Sequence, residues 1–316
     1  MSKKYVGIDI GGTNLKAGVV DETGTLLSAA KTPLQFTTPE AFVETLAGLS
    51  RQAAEAAGIG AEEICAVGMG VPGEVDTEHG TILYTCNIPL ADLPVGALFR
   101  RYLDVPVYLE NDANCALYGE IFAGAGRRWE TFLLVTVGTG VGGGIVLDKK
   151  IYRGFNGAGG EIGHFTLVHD GVLCTCGNHG CWESYASVTA LIRQTEEALR
   201  ANPDSLMKDY LKEDGSASGR TAFDAAKAGD SAAKEVVDTY LRYVADGITS
   251  VINIFQPEVL VIGGGISREG DYLLKPVQEY VAKYVYSKDM EQTQIKIATL
   301  FNDAGIIGAA LASTAE

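Results

Sequence analysis

The sequence predicts an α/β fold in two lobes, and three observations carry that expectation. At 316 residues the chain exceeds a single small core and suits one large or two medium domains of roughly 100–200 residues each. Its first third reads strand, strand, strand, helix, strand. A second round of strands opens near Thr131, and two glycine-rich turns after hairpin-like openings, at 9–13 and 138–144, hint at a duplicated lobe.

The elements follow in order. Tyr5–Ile10, Lys16–Val20 and Leu26–Ala30 are apolar runs between glycines and polar residues, which predicts three strands. A helix from about Glu40 to Ala57 comes next, with Thr38 as N-cap, Pro39 at the first helical position and Gly58 as the stop. Ile64–Val71 reads as a further strand. Asn111 and Asp112 are well suited to start a helix over Ala113–Phe122. Thr131–Val137 and Gly143–Leu147 open the second round. Over Ser231–Phe255, the residues Val236, Tyr240, Val244, Ile248, Val251 and Phe255 recur at helical spacing, so one broad face must pack on a sheet. Pro257 ends that helix and Val259–Ile262 follows as a buried strand, whereas the polar stretch Asp204–Thr221 reads as a surface excursion.

Composition narrows the class of function. Hydrophobic residues make up 47% and charged residues 21%, the balance of a chain that folds throughout. A net charge of −15 repels nucleic-acid phosphates and anionic membranes, so neither is expected as a partner. No apolar run approaches the ~20 residues that span a bilayer, and Met1–Ile10 lacks a signal core, which predicts a cytoplasmic protein. The six cysteines are too few for a disulfide scaffold. Three crowd between Cys174 and Cys181, which suggests metal, while Cys65, Cys86 and Cys115 read as small buried hydrophobes.

The glycine loops point to phosphate. Asp9–Lys16 (DIGGTNLK) places an acid at a strand end, then Gly11 and Gly12, with Thr13, Asn14 and Lys16 as further donors; backbone N–H groups can approach a phosphate where no Cβ intervenes, and Asp9 could hold a hydrated Mg²⁺. Val137–Gly144 (VGTGVGGG), with Gly138, Thr139 and Gly140, invites the same reading. Neither loop continues into Gly-Lys-Ser/Thr or precedes a helix, which argues against P-loop and Rossmann folds. A third run, Gly263–Gly265, follows a buried strand and would let a nucleobase or ribose lie against Gly264 and Gly265, or else is a plain strand-to-helix turn.

These motifs, with GVPGEVD at Gly70–Asp76, ENDAN at Glu110–Asn114, GGEIGH at Gly159–His164 and CTCGNHGCWES at Cys174–Ser184, together resemble the ROK family of sugar kinases and repressors in the actin-like ATPase superfamily. The resemblance runs from residue 9 to about 267, with a matching final segment at Asn302–Ala315. It implies a two-lobed, duplicated ribonuclease-H-like fold around a central cleft, with residues 1–112 plus 303–316 as the smaller lobe and 113–302 as the larger one carrying a structural zinc site. A C-terminal helix, about Asp303–Thr314 with Asn302 or Asp303 as cap, would cross back to the first lobe. Repressor members carry an N-terminal helix-turn-helix, for which the eight residues before Asp9 are too few, so a DNA-binding repressor is not expected.

The resemblance also implies roles. Asp112 matches the base that accepts the proton of the attacking hydroxyl, with ATP and Mg²⁺ supplying the phosphoryl group. Asn111, Glu161, His164 and Glu183 match sugar-contacting positions, and Gly73 and Asn87 match more loosely, because Ile88-Pro89-Leu90 stands where an aromatic residue is usual. Cys174, Cys176 and Cys181 at C-x-C-x₄-C spacing, with His164 as fourth ligand, would make a closed tetrahedral zinc shell; His179 competes for that place, and the resemblance favours His164. The expected function is phosphorylation of a hexose, glucose to glucose 6-phosphate first, with N-acetylmannosamine, fructose or allose as alternative acceptors and polyphosphate as an alternative donor. A sugar sensor without turnover is the competing class. A homodimer or homotetramer is expected.

Overall fold

Alternation along the first strand decides how the first sheet is covered. In β1 (Lys4–Ile10), Val6, Ile8 and Ile10 enter one apolar core, while Tyr5, Gly7 and Asp9 lie on the opposite face. The computed structural model describes residues 2–85, 88–126, 129–155, 159–300 and 303–314. After β1 come β2 (Asn14–Asp21), β3 (Leu26–Pro33), α1 (Pro39–Ala56), β4 (Ile64–Val71), β5 (Gly73–Asp76), β6 (Thr81–Thr85), β7 (Ala91–Leu93), α2 (Val95–Phe99), β8 (Val107–Asn111) and α3 (Asp112–Phe122). The sheet runs β3-β2-β1-β4-β8, with β1 antiparallel to β2 and parallel to β4. Strands β5, β6 and β7 form a small antiparallel sheet of their own.

The second unit repeats this plan. Its elements are β9 (Phe132–Val137), β10 (Val141–Leu147), β11 (Lys150–Ile151), α4 (Glu183–Ala186), α5 (Val188–Ala201), α6 (Thr221–Lys227), α7 (Ser231–Phe255), β12 (Val259–Gly263), α8 (Asp271–Tyr284) and β13 (Gln294–Ile297). The order β11-β10-β9-β12-β13 matches the first sheet strand for strand, again with the first hairpin antiparallel and the next neighbour parallel. The duplication hinted at by the two glycine turns is therefore present in the topology.

The local signals explain the helices. Thr38 caps α1 by accepting from the Ala41 N–H at 3.2 Å, Pro39 stands at its first turn, and Gly58 follows at φ +69°. Helix α7 starts on Asp230, whose Oδ1 accepts from Ala233 N at 2.7 Å, and ends at Gln256 in the left-handed region before Pro257. Asp230 also accepts from Ser205 Oγ and Leu206 N, so the Asp204–Thr221 excursion is pinned at its root and buries Met207.

The chain divides into Met1–Arg128 with Thr299–Glu316, and Trp129–Ala298. The sequence predicts a division after 112 and before 303, which would part α3 from the first unit; packing against the last helix, α9 (Ala304–Ala312), keeps it there. A methyl on Gly119 would overlap the Ala304 carbonyl, and one on Gly308 would overlap that of Cys115, so the two helices meet backbone to backbone. Asp303 occupies the N-cap position of α9 but makes no side-chain cap bond, contrary to expectation, and Asn302 lies outside the described residues.

Gly308→Ala is expected to cost stability at or above the top of the ~1–3 kcal/mol range for overpacking. Gly48→Ala, in α1 with nothing within 4 Å of the added methyl, is expected to gain about 0.5–1 kcal/mol. Thermal melts of the two variants should move in opposite directions.

Candidate active site

In the first unit, strand ends bring three motifs together. Asp9 faces Lys16 across β1 and β2, and Lys16 Nζ lies 2.9 Å from Asp9 Oδ2. The turn between them is closed by Gly11 N donating to Asn14 O at 3.0 Å, and it leaves Gly12, Thr13 and Asn14 exposed. A Cβ on Gly305 would sit 3.3 Å from the Asp9 carboxyl carbon, so the first turn of α9 abuts that acid.

Asn111 caps α3: its Oδ1 accepts from Ala113 N at 2.9 Å and Asn114 N at 3.3 Å, while its Nδ2 donates to Gly73 O at 3.3 Å. The GVPGEVD and ENDAN motifs thus meet, and among the described residues the second Asn111 Nδ2 hydrogen has no acceptor. Asp112 is the first residue of α3. Buried Glu110, whose place in the ENDAN motif gives no sign of its role, braces this corner by accepting from Asn111 N at 3.0 Å and Asn114 Nδ2 at 2.9 Å. Cys115, one turn on, is wholly buried as expected, and its thiol is pushed well above its ordinary value by burial and by the charges of Glu110, Asp112 and Asp9.

In the second unit the two glycine loops are neighbours. Gly264 has φ +80°, and a side chain there would collide with the Val137 backbone, so the Gly263–Gly265 turn rests directly on the root of the 138–140 turn. Methyls on Gly138 or Gly265 would meet nothing within 4 Å, which leaves open space beside both loops. The 138–140 turn is held from outside: Gly138 O accepts from Val188 N at 2.8 Å, Thr139 O from Thr189 Oγ1 at 2.7 Å, and Glu183 Oε2 accepts from Val141 N at 2.9 Å. Val188 and Thr189 carry no motif signal.

His164, Cys174, Cys176 and Cys181 place their ligand atoms within 4.8 Å of one another. Cys176 and Cys181 Sγ are 3.6 Å apart, and Cys174 Sγ is 3.6 Å from His164 Nδ1. A zinc tetrahedron with Zn–S of ~2.3 Å and Zn–N of ~2.0 Å has edges of about 3.8 Å and 3.5 Å, so the donor set fits the ion. Burial, then the Cys176 and Cys174 thiols, push Cys181 up to about 12; for Cys174 burial is outweighed by hydrogen bonds from Cys176, Ser184 and His164, which bring it to about 7. His179 stands apart, its Nδ1 donating to Gly171 O at 3.0 Å.

Glu183 joins the cluster to the loop, its Oε1 lying 3.8 Å from Cys174 Sγ. It is fixed by the preceding Trp182, wholly buried with Nε1 donating to Tyr243 O at 2.8 Å. Glu183, Thr139, Gly140, Thr189 and Arg193 line a cavity of about 390 Å³. Glu161 is exposed and lines a different groove, of about 470 Å³, beside Tyr152 and Ile254. Cys65 is exposed rather than buried, because its side of β4 is left uncovered at the strand's start; Cys86 and Asn87 lie outside the described residues.

The ROK family matches residues 5–315. A glucokinase of Streptomyces coelicolor is 37% identical over 309 residues, covering 96% of either chain. Among solved structures, a ROK family glucokinase from Streptomyces griseus in complex with glucose and AMPPNP superposes with a TM-score of 0.81 at 35% identity, covering 97% of this chain and 98% of that one. A ROK hexokinase from Thermus thermophilus gives 0.78 at 36% identity, covering 98% and 97%.

Cys176→Ser is expected to abolish zinc retention, whereas Cys65→Ser should leave it at the wild-type level. Elemental analysis of the purified variants checks both, and full zinc in the first would remove Cys176 from the ligand set.

Proposed function

We propose, on the premise that this chain belongs to the ROK family, that it transfers the γ-phosphoryl group of ATP to glucose, giving glucose 6-phosphate, with Asp112 as the general base. The observation that carries this reading is the capped Asn111–Asp112 corner at the head of α3, in a chain similar to glucokinases over nearly its whole length. Capping holds the carboxylate on a rigid element, so the orientation a base needs is prepared before substrate arrives. Asp112 takes the proton of the 6-hydroxyl as that oxygen attacks the phosphorus.

The remaining roles follow from the same residues. Asn111, through its spare N–H, and Gly73 beside it face the sugar, with Asn87 assigned from the motif alone. His164 and Glu183 supply acceptors or donors for further hydroxyls, whereas Glu161, which lines the other groove, is assigned to the sugar from the motif alone. His164 presents Nδ1 to the cysteine cluster, which leaves Nε2 for a hydroxyl. Zinc, when bound, fixes that ring and neutralises the thiolates. Gly11, Gly12, Thr13, Asn14 and Lys16 serve phosphate, as do Gly138, Thr139 and Gly140, while Gly264 and Gly265 meet the nucleoside. Asp9 is the carboxylate for hydrated Mg²⁺, shared with Lys16. Among the described residues no helix is long and apolar enough to cross a membrane, and the reading is of a cytoplasmic enzyme. Exposed Tyr152 and Ile254 beside an apolar groove support assembly into a homodimer or homotetramer.

A coupled ADP assay over a hexose panel tests the activity: glucose should give the highest kcat/KM, and no ADP with any hexose despite sugar binding would refute the kinase. Asp112→Ala is expected to lower kcat by about 10²–10⁴-fold with glucose affinity nearly unchanged, since a base acts mainly in the transition state; titration calorimetry with glucose reads the second half. A strong zinc chelator should abolish activity even with ample Mg²⁺, and undiminished turnover after zinc loss would remove the cluster from the sugar site.

A further inference from the structure

Lys227 and Glu269 form an ion pair that no motif described above accounts for. Nζ lies 2.5 Å from Oε2, and the Glu269 side chain is only 9% exposed. A carboxylate that far from water requires its partner. Lys227, the last residue of α6, is itself fixed on the core, because its ammonium lies 5.9 Å from the ring centre of buried Phe223 and 5.3 Å from that of Tyr272.

Glu269 closes the tight turn Gly265–Glu269 that follows β12. At the other end of that turn Gly264 rests on the Val137 backbone, and between the two ends buried Ser267 ties back to Gly264 O through its hydroxyl at 2.6 Å and its N–H at 3.2 Å. The turn is thus a short rigid bridge with two anchors, the second glycine loop at one end and Lys227 at the other. Gly265, between them, borders open space. We propose that Lys227, acting through Glu269, is a positioning residue for the adenine nucleotide: it sets the height and tilt of the Gly264–Gly265 backbone against which the nucleoside lies. This inference rests on the nucleotide role proposed above for that turn.

Steady-state kinetics separate the inference from its premise. Lys227→Met and Glu269→Gln should each raise KM for ATP about tenfold while KM for glucose stays within about twofold, and Lys227→Arg, which keeps the charge, should restore most of the ATP affinity. Gly265→Leu, which fills the open space, tests the premise by raising KM for ATP on its own. If Gly265→Leu raises it and neither member of the ion pair does, Lys227 has no positioning role. Equal rises in both KM values, or a lowered melting temperature with unchanged KM values, would make the pair merely structural. An unchanged KM for ATP in Gly265→Leu would overturn the nucleotide reading of the turn and the inference with it.

Discussion

The backbone of α9 lies against β1, β4 and α3 with only hydrogen atoms of glycine between, at Gly7, Gly68, Gly119 and Gly308. Contacts of this kind leave no side chain to swing or repack, so the spacing of these elements is fixed by atoms that cannot adjust. Asp9 and Asp112 both depend on it. Asp9 stands at the end of β1 on the covered face, against the first turn of α9, where partial positive charge on unpaired N–H groups favours an anion. Asp112 opens the helix that α9 holds in place. Their mutual geometry is therefore a property of the fold rather than of local hydrogen bonds alone.

The duplicated topology places two glycine hairpins at equivalent sheet positions and equips them differently. The first carries its own charges, Asp9 and Lys16, and closes itself with a backbone bond. The second also closes on a backbone bond, Gly138 N to Gly140 O at 2.9 Å, but it has no charged residue between Val137 and Gly144 and takes its further anchors from neighbours: the head of α5, the Gly264 turn and Glu183. Through Glu183 that anchoring reaches the cysteine cluster. A zinc ion bound at the cluster would then influence how the loop is held, because the same carboxylate lies beside the Cys174 sulfur and on a loop N–H.

What the sequence discloses and what it withholds divide along physical lines. Periodicity and caps are local, so α1, α7, the hairpin strands and the Asn111 cap can be read directly. The cysteine cluster is nearly as local, with three ligands in eight residues. The small sheet of β5, β6 and β7 gives no clean alternation, and Pro276 inside α8 masks that helix. The edges of the two units depend on α3 meeting α9, and the parting of Glu161 from Glu183 into separate cavities depends on the course of the chain between them. The exposure of Cys65 belongs with these, because an apolar strand does not announce which of its residues a neighbour will cover.

The first unit is assembled from both ends of the described chain, and this bears on its synthesis. The second unit is one continuous stretch, Trp129–Ala298, and can close as soon as it leaves the ribosome. The face of β1 and β4 carrying Tyr5, Gly7, Ala66 and Gly68 has to wait for Ala304–Ala312. At ~5–20 residues per second that wait lasts roughly 10–50 s. For that interval a nascent chain exposes an apolar sheet face whose proper cover has not yet been translated, which makes that face its most association-prone surface during synthesis.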